Sequence, residues 1–234
     1  MRRNQLASHV ARHQLPWAVA PRPSAATPLM TDRTLVLTLG VVLAFLLAWS
    51  GIAPYERSTW LMEVAPIFIA VPVMAYSYRR FPLTRLLYAM IFVHSVILLV
   101  GGAYTYARVP FGFWMQEVLG IDRNPYDKIG HFAQGFIPVL VAREVLSRGG
   151  YVRGKKMLTF ICISIAMAIS ACYELVEWGA ALALGQGAEE FLGTQGYVWD
   201  TQSDMWYALL GASSSLLLLS RLHDREIARL GQRR

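Results

Sequence analysis

The sequence predicts an all-α, polytopic membrane protein with six transmembrane helices and both termini in the cytoplasm. Of its 234 residues, 55% are hydrophobic and only 16% are charged, whereas soluble domains carry about 25% charged residues. A helix needs about 20 predominantly apolar residues to cross a bilayer. Runs of this kind occur at residues 34–53, 60–78, 86–105, 125–147, 157–185 and 200–222.

Positively charged residues are distributed unevenly among the segments that flank these spans. The N-terminal tail holds five, the link after the second span three, the link after the fourth span four and the C-terminal tail five, which makes seventeen. The three other links are counted with four altogether, namely Arg57, Arg108, Arg123 and Lys128. Because cytoplasmic segments carry the excess of Lys and Arg, both termini are predicted to be cytoplasmic and the number of spans to be even. The net charge of +7 is then explained by a lipid bilayer, without nucleic acid as a partner.

The chain is predicted to form one transmembrane domain, residues 34–222, between two basic cytoplasmic tails. Residues 1–33 contain five arginines, several prolines and no apolar run, which is typical of a disordered segment. Both Met1 and Met30 are compatible with the start of the native chain. The C-terminal tail, residues 223–234, is also basic.

Local signals indicate how some spans begin, bend and pack. Asn124 is predicted to be the N-cap of the fourth helix, with Pro125 at its first position, and Pro138 is predicted to kink that helix. The link 106–123 is rich in aromatic residues and is predicted to lie at the membrane interface. Spans four to six contain more small residues than the others and are predicted to form the inner core, because small residues let helices approach closely in lipid.

Polar residues cluster in three places along spans four to six, at 127–131, 173–178 and 200–204. Ionisable groups at such depth are costly, so a functional or pairing role is expected. The predicted topology places all three clusters in the outer half of the membrane, and the helical period gives each of them one stripe. The candidate polar site therefore consists of Asp127, Lys128, His131, Gln134, Glu174, Glu177, Asp200 and Asp204.

Five carboxylates in a medium of low dielectric constant require compensating positive charge or protons. Lys128, a bound cation and shared protons are three ways to supply it. One histidine with several carboxylates suits a divalent ion such as Mg²⁺, Mn²⁺ or Zn²⁺. Asp127 and Asp200 also stand at helix starts, where a carboxylate is favoured on electrostatic grounds alone. The predicted metal ligands are therefore His131, Glu174, Glu177 and Asp204.

Other ionisable residues of the spans have structural interpretations. His94 is predicted to be a packed histidine whose hydrogen bonds are satisfied, and Glu63 to lie at the interface at the start of the second span. Arg143 and Glu144 are predicted to form a local pair near the inner end of the fourth span.

At these polar clusters the chain resembles the YjdF-type family of bacterial inner-membrane proteins over roughly residues 31–225. It is also similar, more faintly, to VanZ-like membrane proteins. The first resemblance implies a multi-pass protein of the bacterial inner (plasma) membrane, and neither family supplies a reaction. The residues that carry the first resemblance are Tyr126-Asp127-Lys128-Ile129-Gly130-His131-Phe132, Tyr173-Glu174-Leu175-Val176-Glu177-Trp178 and Asp200-Thr201-Gln202-Ser203-Asp204-Met205. The second rests on Asp127, Lys128, His131, Phe132, Glu174, Asp204 and Gly211.

Three functions are compatible with this pattern. The favoured one is an outward-facing polar site that holds a divalent metal ion and binds or processes a phosphate-bearing lipid or envelope precursor. The second is a non-enzymatic module in which the polar cluster joins helices or docks a partner. The third, a proton-linked transporter, is disfavoured because the sequence has no internal repeat. The pattern fits enzymes and non-enzymes alike, and it does not specify an oligomeric state.

Overall fold

The computed structural model describes residues 30–184 and 194–232, and within these ranges the secondary structure is helical without β-strands. A 3₁₀ turn lies at Tyr106–Arg108. The prediction of an all-α, polytopic membrane protein is confirmed, because five of the described helices, α1, α2, α3, α7 and α8, are long and apolar enough to span a membrane. The helices are α1 (Met30–Ile52), α2 (Arg57–Ser77), α3 (Arg85–Tyr104), α4 (Pro110–Leu119), α5 (Tyr126–Phe136), α6 (Pro138–Arg148), α7 (Lys155–Leu184) and α8 (Asp200–Gln232).

The fourth predicted span consists of two helices, α5 and α6, which are interrupted at Ile137. Proline has no backbone N–H and its ring clashes with the preceding turn, so the break before Pro138 is the predicted one. Each half has 11 residues and is about 16 Å long. The pair is therefore as long as a span, although neither half is. Six spans and cytoplasmic termini stay predictions.

Several predicted boundaries differ from those of the structure. Residues 30–33, assigned to the N-terminal tail, are the first turn of α1, and α8 continues through the C-terminal tail to Gln232. The predicted cap of the fourth span is wrong by one residue, since Pro125 is the N-cap and α5 begins at Tyr126. Asn124 still accepts a hydrogen bond of 3.0 Å from the Tyr126 N–H. Residues 1–29, and with them the choice of start, lie outside the described ranges.

The core is divided between two groups of helices that meet at α3. Leu87 of α3 packs with buried residues of α6, α7 and α8, whereas Leu98 and Leu99 of α3 pack with residues of α1 and α2. α5 packs most extensively against α8. These two helices run in the same direction, because Lys128 contacts Asp200 near their starts and Gly135 contacts Ala208 farther along. The starts of α5 and α8 therefore lie at one end of the bundle.

Candidate functional site

Lys128 lies among three aspartates where α5 and α8 begin. Its Nζ is 2.8 Å from Asp200 Oδ1 and 3.3 Å from Asp127 Oδ2, and it also donates a hydrogen bond to Asp204 Oδ1. Lys128 is 7% exposed and Asp204 1% exposed. Lys128 is thus a buried partner of the aspartates, although its charge was assigned to an outer link in the topology prediction. Asp127 and Asp200 belong to this group as well as standing at helix starts.

Arg123 is a further basic member of the cluster, and the sequence analysis assigned it only to a link. Its Nη1 donates to Asp200 Oδ1 at 2.6 Å and to the carbonyl oxygen of Thr194 at 3.0 Å. The guanidinium also lies over the ring of Tyr197, at 4.4 Å from the ring centroid. The signal in the sequence that could have identified Arg123 was its position beside the predicted start of the fourth span, which carries Asp127. Arg123 and Lys128 therefore both form ion pairs with the carboxylate of Asp200.

His131 connects four of the predicted site residues through its two ring nitrogens. Its Nε2 lies 3.3 Å from Asp127 Oδ1 and 3.8 Å from Asp204 Oδ1. Its Nδ1 lies 3.2 Å from Gln134 Oε1 and 3.8 Å from Glu174 Oε1. The stripes of α5, α7 and α8 therefore converge on this imidazole.

One group of atoms has the spacing of a metal-binding site. Single ligand atoms of Asp127, His131 and Asp204 all lie within 4.8 Å of one another, and all three residues are buried. This group shares His131 and Asp204 with the ligand set predicted from the sequence. Glu174 lies on the Nδ1 side of the imidazole, opposite the nitrogen that faces the two aspartates. By these distances, Asp127 rather than Glu174 is the acidic neighbour of Nε2 together with Asp204.

Glu174 and Glu177 are both buried on α7, each 8% exposed. Oε1 of Glu174 has no hydrogen-bond partner among residues 30–184 and 194–232. Glu177 lines a cavity together with Asp127 and His131. A buried carboxylate oxygen without a partner is unfavourable, so Glu174 is a place where added positive charge would be stabilising.

Glu63 is part of the same region and is buried inside the protein, which the sequence analysis did not predict. It is 3% exposed, and its Oε2 accepts a hydrogen bond of 2.9 Å from the hydroxyl of Tyr173. This bond joins α2 to α7. Tyr173 stands directly before Glu174 in the second polar cluster, but α2 and α7 are distant in sequence and no local pattern connects them. Glu63 also lines the cavity that contains Glu177.

His94 of α3 also differs from its predicted state. Its Nε2 is buried and has no hydrogen-bond partner within the described part of the chain. The side chain lines the same cavity as Glu63 and His131. His94 is therefore packed, as predicted, but its ring nitrogen is not satisfied.

A second buried polar network lies toward the other end of α6 and α8. Glu144 is 0% exposed; it accepts hydrogen bonds from the N–H and hydroxyl of Thr84 at 3.0 and 2.7 Å and pairs with Arg148. Its Oε2 is also 2.8 Å from Nε2 of His223. Arg143 binds Asp224 instead, at 2.6 Å. The predicted Arg143–Glu144 pair is wrong, because adjacent residues of a helix point in different directions.

Comparison with known proteins gives two matches. The model of the family described as "Predicted membrane protein (DUF2238)" matches residues 35–225. The inner membrane protein YjdF of Escherichia coli (strain K12) is 56% identical over 202 residues, which are 86% of this chain and 97% of that protein. No solved structure shows significant similarity to the chain. The matched region contains all eight residues of the candidate polar site that the sequence analysis named.

Proposed function

We propose that this chain, which belongs to the DUF2238 family of predicted membrane proteins, binds a divalent metal ion at the cluster around His131. The residues that would hold the ion are Asp127, His131 and Asp204. The chain is a multi-pass protein of the bacterial inner membrane, as the resemblance implied. Through the ion, the site binds or processes a phosphate-bearing lipid or envelope precursor. The site opens toward the outer side of the membrane in the predicted topology.

The environment of the two His131 nitrogens carries this proposal. A neutral imidazole has one N–H. If Nδ1–H donates to Gln134 Oε1, at 3.2 Å, the lone pair of Nε2 faces the carboxylates of Asp127 and Asp204. That arrangement is favourable only with a cation between the three groups, either a proton on Nε2 or a metal ion. Histidines that bind metals commonly donate their other N–H to an oxygen in this way.

The charges of the cluster support a divalent ion over a single proton. Six buried carboxylates lie in this region, and the basic side chains that pair with them among the described residues are Arg123, Lys128 and His131. Carboxylates alone would repel a phosphate, whereas a bound divalent ion gives the same site an affinity for phosphate oxygens. The six carboxylates are those of Glu63, Asp127, Glu174, Glu177, Asp200 and Asp204.

The same residues provide the groups that a reaction would need. A bound divalent ion lowers the pKa of a coordinated water molecule and polarises a phosphoryl oxygen. Glu177 lines the same cavity as Asp127 and His131 without belonging to the metal group, so it can accept a proton from such a water. This is the step by which binding would become hydrolysis or transfer.

A purely structural role is the second candidate, and the contacts of Lys128 favour it. One ammonium group contacts three aspartates on α5 and α8, and a buried network of this kind can fix how two helices pack. In that case the cluster needs no metal ion. The paired state of Lys128 is also compatible with a neighbouring ion, since its hydrogen bonds within the described ranges go to the three aspartates and leave Nε2 of His131 and Oε1 of Glu174 available.

Metal analysis of the purified protein distinguishes the two candidates. Wild type, Asp204→Asn and Glu174→Gln are dialysed against Mg²⁺, Mn²⁺ or Zn²⁺ and analysed by inductively coupled plasma mass spectrometry. We expect about one equivalent of ion in the wild type, little in Asp204→Asn and a weaker affinity in Glu174→Gln. Glu117→Gln, an exposed change on α4, is the matched control. Absence of bound ion in the wild type, with lower thermal stability of both site variants, would support the structural role instead.

A further inference from the structure

A large cavity extends from the polar cluster into the apolar interior between α2, α3, α5, α6 and α7. Its volume is about 720 Å³, which lies in the usual range of ligand-binding sites. One end is polar and is lined by Glu63, Asp127, His131 and Glu177. The other end is lined by apolar side chains, among them Leu83 and Val145. The cavity is therefore amphipathic along its length.

α2 forms one wall of the cavity, which runs along it from Glu63 to Ser77. α2 packs against α3, and the bond from Tyr173 to Glu63 attaches it to α7 at the polar end. From that point the cavity continues along α2 as far as Ser77. The distance from Glu63 to Ser77 is about 21 Å at 1.5 Å per residue, which is two thirds of a hydrocarbon core of about 30 Å.

The lining of the cavity restricts what can fill it. Its walls are mostly apolar, and the carboxylates among its lining residues lie at one end. An extended hydrocarbon chain is narrow enough to follow it, and the carboxylates and His131 at one end require a polar head there.

We infer that the cavity holds the hydrocarbon chain of a lipid whose phosphate head lies at the cluster around His131. This inference rests on the proposed function, because the metal ion at the cluster is what makes its acidic end attractive to a phosphate. The chain lies along α2 and passes His94, whose Nε2 is the unpaired polar atom on the α3 side. The ligand is then a phosphate-bearing lipid, and a soluble phosphate compound lacks the chain that fills the cavity.

Photolabelling in lipid nanodiscs tests the inference. The probe is an alkyl phosphate with a diazirine near the end of its chain, added with Mn²⁺, and labelled residues are identified by mass spectrometry. We expect labelling of cavity residues such as Ala70 and Ile165 that excess unlabelled hexadecyl phosphate suppresses. Labelling confined to residues that face the bilayer, or not suppressed by the competitor, would overturn the inference.

A pair of neighbouring substitutions on α2 provides the obstruction and its control. Ala70 lines the cavity, so Ala70→Trp fills part of it and is expected to reduce the suppressible labelling at Ile165 by at least about ten-fold. Ile69 is 68% exposed and faces away from the cavity, so Ile69→Trp adds the same side chain and should leave the labelling unchanged. If Ala70→Trp does not fold, Val73→Trp obstructs the cavity farther along α2 and decides the outcome. Equal labelling in the obstructed and control variants would contradict the inference.

Two further probes separate failure of the chain site from failure of the proposed function. An alkyl alcohol with the same diazirine has the chain without the phosphate, and butyl phosphate has the phosphate without the chain. If the alcohol labels the cavity as well as the phosphate does, the chain site stands and the phosphate-binding function fails. If butyl phosphate raises the thermal stability of the Mn²⁺ form as much as hexadecyl phosphate does, the head site stands and the chain site is overturned.

Discussion

Gly135 of α5 lies directly against the backbone of Ala208 in α8. A Cβ atom at Gly135 would be 1.8 Å from the carbonyl oxygen of Ala208. At the same crossing, a Cβ atom at Gly211 would be 2.0 Å from the carbonyl oxygen of Phe132. The two helices can approach this closely only because both positions lack a side chain. The crossing therefore sets the distance between the polar residues of α5 and those of α8.

Alanine at either glycine should force the helices apart. We expect Gly135→Ala and Gly211→Ala each to lower the free energy of unfolding by about 3 kcal/mol, the upper range for overpacking against an unyielding neighbour. The measurement is unfolding in mixed micelles followed by circular dichroism. Gly40→Ala is the control, because a Cβ atom there has no neighbour within 4 Å. Equal stability of all three variants would show that the crossing is looser than the structure indicates.

Lys128→Met should leave the aspartates of the cluster without their shared ammonium group. Removal of one partner from a buried ionic network is expected to lower stability by about 3 kcal/mol. If the proposed ion site exists, millimolar Mn²⁺ should restore a large part of this loss, because the ion replaces the missing charge beside Asp204. The measurement is the thermal denaturation temperature with and without Mn²⁺.

Lys155→Met is the matched control for this test. Lys155 is exposed at the start of α7, so its loss should change stability little, with or without Mn²⁺. A stability loss in Lys128→Met that no divalent ion reverses would favour the purely structural role of the cluster. A Lys128→Met variant as stable as Lys155→Met would contradict the structural role.

The convergence of the polar residues could be predicted because it depends on two periodic properties of the chain. Helical phase placed the polar residues of each span on one face, and the alternation of Lys and Arg placed the three faces at one depth. The partners of Glu63 and Glu144 could not be found in this way. Tyr173 contacts Glu63 across 110 positions, and His223 contacts Glu144 across 79, so both bonds depend on how helices pack laterally.

Lys128 shows a different limit of the same reasoning. A lysine at the boundary of a predicted span can be assigned to a solvent-exposed link or to the first turn of the helix, and the sequence pattern is the same in both cases. The start of α5 at Tyr126 places Lys128 inside the helix. Its partners Asp200 and Asp204 belong to another span, so the ion pairs become visible only when α5 and α8 are placed side by side. The break before Pro138, in contrast, follows from a property of one residue.

The N-cap of α2 should make stability depend on pH at the acidic end of the range. Glu56 accepts hydrogen bonds from the backbone N–H groups of Ser58 and Thr59. Partial burial alone would raise the pKa of Glu56, but these hydrogen bonds, together with one from the Ser58 hydroxyl, lower it from 4.5 to about 2. Because the pKa is lower in the folded state, the stabilisation is fully present above pH 4.5 and is lost as the pH falls through about 2.

Glu56→Gln is the variant that isolates this effect. At neutral pH we expect it to lower the free energy of unfolding by about 0.5 kcal/mol, the lower range for a cap that solvent screens. The difference from the wild type should shrink as the pH is lowered, because the wild type loses the same charge by protonation. The measurement is the denaturation temperature of both proteins as a function of pH. A difference that stays constant down to the lowest pH would contradict the depressed pKa.

The predicted topology assigns the link that contains α4 to the outer side and the link between α6 and α7 to the cytoplasm. Glu117 of α4 and Arg153, between α6 and α7, are both exposed, so a cysteine at either position should be accessible to a reagent. In a background of Cys162→Ala and Cys172→Ser, a membrane-impermeant maleimide should label Glu117→Cys in intact spheroplasts. It should label Arg153→Cys only after the membrane is permeabilised, because that link carries the positive charge that favours the cytoplasm. The reverse pattern would place the cluster around His131 on the cytoplasmic side, and a ligand would then have to reach it from there.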